Sequence, residues 1–194
     1  VRSGRWSAEG LMPYTRRVHG KRMGILGLGR IGLAIARRCE AFNMEIAYHN
    51  RNRRDDVNYS YRETLKELAA WADYLVVAMP GGTDTHHIVN AGVLQELGPD
   101  GVLVNVGRGS NVDTQALILA LEKGTLGCAA LDVVENEPAV PGALLSIKEN
   151  LILQPHHASA TFETRRAMVE LTFDNIRSFL EGRPLISLIP ECRE

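Results

Sequence analysis

Three polar segments of the chain carry residue types that could act together on an anionic substrate: Asn105-Val-Gly107-Arg108-Gly109, the stretch from Asp132 to Pro138, and Pro155-His156-His157. An arginine offers a planar fork to a carboxylate. A histidine gives or takes a proton near neutral pH, and a carboxylate orients an imidazole and stabilises its charged form. Each segment directly follows a short apolar run, beginning at Val102, Gly127 and Leu151 respectively. In a doubly wound sheet the ligand lies across the carboxyl edge of the strands, so these three strand ends are expected to converge on one crevice.

A second pattern points to what would share that crevice. Gly27-Leu-Gly29-Arg30-Ile31-Gly32 follows the first apolar run and opens an amphipathic stretch. Glycines at that spacing permit a tight turn, let backbone N–H groups approach a pyrophosphate at the positive end of a helix, and let helix and strand pack closely. A dinucleotide site is the expected result. An NAD site places an acid at the end of the second strand, about 20 residues past the loop, to bind the ribose hydroxyls. Here the segment reads Tyr48-His49-Asn50-Arg51-Asn52-Arg53-Arg54, and no carboxylate occurs before Asp55. Arg51 stands where a guanidinium could clamp a 2′-phosphate, and Asn50 beside it is expected to contact the cofactor. NADP(H) is therefore the expected cofactor, with NAD(H) as the alternative; Arg53 and Arg54 read equally well as a solvated basic loop.

The elements that must position these groups follow from the apolar pattern. From Arg22 onward, β-branched runs alternate with amphipathic stretches: Arg22 to Leu28, Arg30 to Phe42, Glu45 to Tyr48, Thr64 to Trp71, Tyr74 to Ala78, Asn90 to Leu97, Val102 to Val106, Thr114 to Lys123, Gly127 to Val133 and Leu151 to Gln154. Strands apolar on both faces and separated by helices predict an α/β fold, a doubly wound parallel sheet of six strands covered on both sides. Residues 1–20 show neither period and read as a linker or arm, with Trp6 as a packing anchor. Residues 21–160 form the nucleotide-binding domain, and 161–194 a closing helix of about 20 residues and a tail, ended by Gly182 and Pro184.

Composition excludes several partners. With 22 basic and 23 acidic residues dispersed through 194, the net charge of −1 offers no field for nucleic acid or anionic lipid. No apolar run approaches the roughly 20 residues that span a bilayer. Cys39, Cys128 and Cys192 are far apart without a CxxC, which suits a cytoplasmic protein. Val1 stands where an initiator Met would, so further residues are expected upstream. His86-His87 invites a metal reading, but consecutive side chains diverge and no third ligand has recognisable spacing, so no metal site is expected. A short-chain dehydrogenase would need Tyr-x-x-x-Lys; the five tyrosines are followed four positions on by Val18, Asn52, Glu63, Leu65 and Ala78.

These motifs together, GLGRIG, Pro80-Gly81-Gly82-Thr83-Asp84-Thr85, Asn105 to Gly109, Asp113, Ala129-Ala-Leu-Asp132-Val, Glu135-Asn-Glu137-Pro138 and Pro155-His156, make the chain resemble the D-isomer-specific 2-hydroxyacid dehydrogenases over nearly its whole length. The key residues are spaced as in that family, 29 positions from Arg108 to Glu137 and 19 from Glu137 to His156. The resemblance implies a Rossmann-like fold in which Arg108 binds the substrate carboxylate and keto oxygen, His156 is the general acid or base, and Glu137 pairs with it. It further implies that Asp132 bonds the nicotinamide carboxamide and that Arg30 and Ile31 meet the pyrophosphate. Pro80, Gly81, Thr85, Val106 and Gly107 would line the cofactor cleft.

The strand end at Tyr48 to Arg51 with Pro80-Gly81-Gly82 looks most like the glyoxylate and hydroxypyruvate reductase branch, which uses NADPH. The implied activity is hydride transfer between the nicotinamide and a small 2-oxo or 2-hydroxy acid, in a homodimer. The family's substrate-binding domain has no counterpart in this chain, which alone is expected to be inactive. His157 departs from the aliphatic residue usual there. The alternative is a nucleotide-sensing interaction protein or corepressor on the same scaffold, which fold alone cannot separate from an enzyme.

Overall fold

The computed structural model describes residues 2–10 and 14–188; Val1 and Cys192 lie outside them. The chain divides into two compact units, residues 1–153 and 154–194.

In the first unit the order is α1 (Arg5–Glu9), β1 (Arg22–Leu26), α2 (Arg30–Glu40), β2 (Glu45–His49), β3 (Ser60–Tyr61), α3 (Leu65–Trp71), β4 (Tyr74–Val77), α4 (Ala91–Leu97), β5 (Val102–Asn105), α5 (Thr114–Glu122), β6 (Cys128–Leu131), α6 (Gly142–Ser146) and β7 (Leu151–Leu153). All strand pairs are parallel, in the order β3-β2-β1-β4-β5-β6-β7. The sheet has seven strands where the apolar pattern predicts six. The additional one, β3, has two residues, too few to show a period. The order reverses between β1 and β4, which is where a doubly wound sheet opens its ligand crevice.

Side chains alternate across a strand, so one sequence feeds two cores. Leu26, Leu75, Val77 and Leu103 pack with Leu68, Leu94 and Leu117 from α3, α4 and α5. Ile25, Tyr48 and Val76 pack with Ala36 of α2 and with Leu28. Fully burying one such leucine stabilises the fold by roughly 1.5 to 3 kcal/mol. The helix starts are set by caps. Thr64 accepts from the Glu67 N–H in a reciprocal capping box, Asn90 accepts from Gly92 and Val93, and Asp113 accepts from Ala116. Such a cap contributes about 1 kcal/mol.

The arm contains the short helix α1, which buries no residue. Trp6, expected as an anchor, stays 59% exposed, because a five-residue helix without a buried face offers it nothing to pack into. Cys39 and Cys128 are half-buried free thiols, and burial pushes the Cys39 thiol up.

The second unit is built on α7 (Phe162–Leu180), 19 residues capped by Thr161. Gly182, with φ of 66°, lets the chain leave the helix as Arg183 N–H reaches back to the Ser178 carbonyl. Ser187 then closes against Asn175 through two hydrogen bonds. The apolar residues that mark this helix in the sequence, Met168, Leu171, Ile176, Phe179 and Leu180, are exposed. Among the described residues no helix is long and apolar enough to cross a membrane.

Candidate active site

After β1 the backbone turns at Gly27, with φ of 96°, so tightly that a Cβ there would lie 2.8 Å from the Met79 Cβ. A Cβ on Gly32 would lie 2.3 Å from the Gly27 carbonyl oxygen, so α2 can approach the turn only because this residue is glycine. At Gly29 the same direction is open space. Gly29 is also the N-cap of α2 and brings no side-chain acceptor, nor does the first turn contain an acid. The first N–H groups, at Arg30 and Ile31, therefore have neither a capping side chain nor a neighbouring carboxylate. The turn that precedes them, Gly27 to Gly29, lines a cleft of about 630 Å³ together with Asn50, Arg51, Pro80 and Thr85 among others. A cradle of glycine backbone at an uncapped helix start fits the pyrophosphate of a dinucleotide.

The end of β2 is built around Leu28. The Asn50 Oδ1 accepts its N–H at 2.6 Å, and Arg54 Nη1 donates to its carbonyl at 2.8 Å. Arg54 also pairs with Asp56, and its N–H donates to the hydroxyl of the fully buried Tyr48. Arg54 is thus a structural clamp. Arg53 does not line the cleft. Arg51 is exposed along the cleft and makes no hydrogen bond or ion pair among the described residues.

The loops after β4 and β5 are joined by two buried asparagines. Asn105, 1% exposed, accepts the Gly107 N–H and donates to the Arg108 carbonyl. Asn111, fully buried, accepts the Arg108 N–H at 2.9 Å and donates to the carbonyls of Pro80 and Thr85. Gly81 packs against the Arg108 side chain, and Thr85 Oγ1 donates back into its own loop at Pro80 and Gly82. The exposed Arg108 side chain places Nη1 on the Gly107 carbonyl at 2.8 Å. Half-buried Val106 and buried Gly107 lie within this junction, where a Cβ on Gly107 would lie 2.6 Å from the Met79 carbonyl oxygen.

Beyond β6, the Asp132 N–H donates to the Asn105 carbonyl and the Val134 N–H to Glu137 Oε2. Arg108, Asp132 and Glu137 therefore follow adjacent parallel strands, paired at Asn105 and Leu131. β7 pairs with β6 at Leu131 and Leu153, and His156 stands three residues further along the chain, in the second unit, with a left-handed backbone at φ of 50°.

Sequence reasoning missed the roles of Asn105 and Asn111, and its expectation for the histidine pair does not hold. The rings of His86 and His87 do not diverge; they stack with centroids 3.8 Å apart, and both face Glu135.

Residues 1–158 match the model of the D-isomer specific 2-hydroxyacid dehydrogenase NAD binding domain. The chain is 49% identical over 187 residues to glyoxylate/hydroxypyruvate reductase A HPR2 of Arabidopsis thaliana, covering 96% of this chain and 59% of that protein. It is 47% identical over the same length to hydroxyphenylpyruvate reductase of Plectranthus scutellarioides, with the same coverage. A crystal structure of the NADPH-dependent glyoxylate/hydroxypyruvate reductase of Sinorhizobium meliloti, in complex with NADP and malonate, superposes with a TM-score of 0.91 at 49% identity, covering 98% of this chain and 60% of that one. The chain thus spans about three-fifths of the length of these relatives. By fold, cleft and sequence, it belongs to the D-isomer specific 2-hydroxyacid dehydrogenase family, of which it carries the NAD binding domain.

Proposed function

We propose that the protein is an NADP(H)-dependent reductase of small 2-oxo acids of the glyoxylate or hydroxypyruvate type, and that this chain is its cofactor-binding part with three catalytic side chains attached. The observation that carries the cofactor choice is the pair Asn50 and Arg51. Asn50 Oδ1 accepts the Leu28 N–H, and none of the residues His49 to Asn52 that line the cleft at the end of β2 brings a carboxylate to a ribose 2′-hydroxyl. The neighbouring guanidinium has no partner among the described residues, lies on the same cleft and suits a 2′-phosphate.

The bound nicotinamide supplies the hydride. Gly27, Gly29, Arg30 and Ile31 would hold the pyrophosphate, with Gly32 keeping the helix close. Pro80, Gly81, Thr85, Val106 and Gly107 would wall the nicotinamide side, and Asp132 would bond the carboxamide. Arg108 would orient the substrate through its carboxylate and polarise the keto oxygen. His156 would pass its imidazole proton to that oxygen, and Glu137 would pair with His156. Buried hydrogen bonds to both the N–H and the C=O of Arg108 support its role, because they orient the backbone from which the guanidinium extends.

The protein is further proposed to be a cytoplasmic homodimer. Turnover of glyoxylate and hydroxypyruvate by the full-length protein, with NADPH and NADH compared, tests the activity. NADPH binding without turnover of any 2-oxo acid would favour the nucleotide-sensing alternative.

A further inference from the structure

His86 and His87 follow the 3-10 turn at Thr83–Thr85, and their rings are brought together by the backbone. Consecutive side chains on extended chain point to opposite sides. At His87 φ is 51°, in the left-handed region, and the two imidazoles stack at 27° between planes. Glu135, 48 residues away in the loop after β6, faces both: its Oε1 lies 2.6 Å from His87 Nε2 and 3.9 Å from His86 Nε2. One ligand atom from each of the three lies within 4.8 Å of the others. Burial alone would raise the Glu135 carboxyl, but hydrogen bonds from Thr114 and His87 outweigh it and hold the group below the usual carboxylate range.

The donor set and its dimensions suit one class of ligand. Two imidazole nitrogens and one carboxylate oxygen match a borderline first-row divalent ion. Bonds of about 2.0 to 2.2 Å in a tetrahedron separate ligand atoms by roughly 3.3 to 3.6 Å. The two distances to Glu135 bracket that range, so small side-chain rotations would suffice. His86 keeps 56% of its side chain exposed, which leaves a fourth position open to water. We propose that His86, His87 and Glu135 form a binding site for a Zn²⁺-class ion, with water as the fourth ligand. The ion would tie the loop after β4, which carries Pro80 to Thr85, to the loop after β6, which carries Glu137. The proposal does not depend on the reductase reading, since it rests only on these three side chains.

The test uses the full-length, tag-free protein, stripped with chelator and titrated at about pH 7, where imidazole ligands compete with few protons. Co²⁺ binding is followed by the visible bands of a tetrahedral site, and Zn²⁺ binding by calorimetry. One saturable equivalent is expected, with tetrahedral bands. His86→Ala and Glu135→Gln should each weaken it by at least about tenfold, the scale on which even supporting residues of metal sites act. His86 is exposed, so His86→Ala keeps the fold, which circular dichroism and NADPH binding verify. Absence of a saturable Co²⁺ spectrum would overturn the proposal and leave the cluster a hydrogen-bonded clamp between loops. So would a stoichiometric site whose affinity neither substitution changes.

Discussion

The fully buried Asn111 accepts the backbone N–H of Arg108 through its Oδ1, 2.9 Å away, and spends its amide on the carbonyls of Pro80 and Thr85. One side chain thereby sets the exit of the candidate substrate-binding arginine and the loop along the cofactor cleft. Asn111→Ala should take away the acceptor of the Arg108 N–H, while the Pro80 and Thr85 carbonyls keep the Thr85 hydroxyl and the Ile88 N–H as donors. Losing the bond to one buried donor costs about 1 to 3 kcal/mol. Urea unfolding should report a loss of that size. In the full-length enzyme, kcat/KM for 2-oxo acid reduction should fall further than the affinity for NADPH. Unchanged stability and kinetics would remove Asn111 from the site.

Arg51→Ala should weaken NADPH binding by roughly ten- to a hundredfold, the equivalent of about 1.5 to 3 kcal/mol for a charge-assisted bond to phosphate. NADH binding should change little, because that ligand has no 2′-phosphate. Fluorescence titration of both cofactors decides the matter. Equal losses for the two would show that Arg51 shapes the loop rather than reading the phosphate.

What was legible in the sequence was local. The glycine loop, the end of the closing helix at Gly182 and the strands of the sheet interior each declare themselves within a few residues, because turn chemistry and apolar period are short-range. The two-residue β3 and the five-residue α6 are too short for a period. Asn111 looks like any polar loop residue until its neighbours Pro80 and Thr85, 31 and 26 positions away, are known. The approach of His87 to Glu135 spans 48 positions and depends on one left-handed backbone angle, which no spacing rule encodes.

Acid should weaken the sheet at its opposite end. Arg22 and Asp73, at the starts of β1 and β4, form a forked pair: Nε and Nη2 bond the two carboxylate oxygens, and the Arg22 N–H adds a third bond at 2.8 Å. The side-chain bond to Arg22 is the main reason the Asp73 carboxyl sits below its ordinary value, against the opposing effect of burial. A depressed folded value means the stabilisation is complete above the unfolded value, near pH 4, and is lost as pH falls through the folded one. Asp73→Asn should therefore be less stable than the parent at neutral pH. The gap should narrow below about pH 4. Its neutral-pH size should be about 1 kcal/mol, since Arg22 is 44% exposed and solvent screens the pair. Denaturant midpoints for both proteins across that range would show the convergence; a constant gap would mean the pair contributes nothing through its charge.

The proposed partnership of Glu137 and His156 makes the sharpest demand on the full-length enzyme. In the proposed mechanism, reduction of a 2-oxo acid would take a proton from the imidazole, and oxidation of the hydroxy acid would return one to it. The two directions should therefore respond to rising pH in opposite senses, reduction falling and oxidation gaining. His156→Ala should lower turnover by roughly 10² to 10⁴ while leaving cofactor affinity intact, because the glycine loop and Arg51 belong to other segments. Glu137→Gln keeps the shape and removes the charge, so turnover should fall in both directions while cofactor affinity stays. The comparison must be made where hydride transfer limits the rate, which a deuterated nicotinamide reveals. If Glu137→Gln then turns over at the parent's rate, the carboxylate does not act on the imidazole and the proposed pairing is wrong.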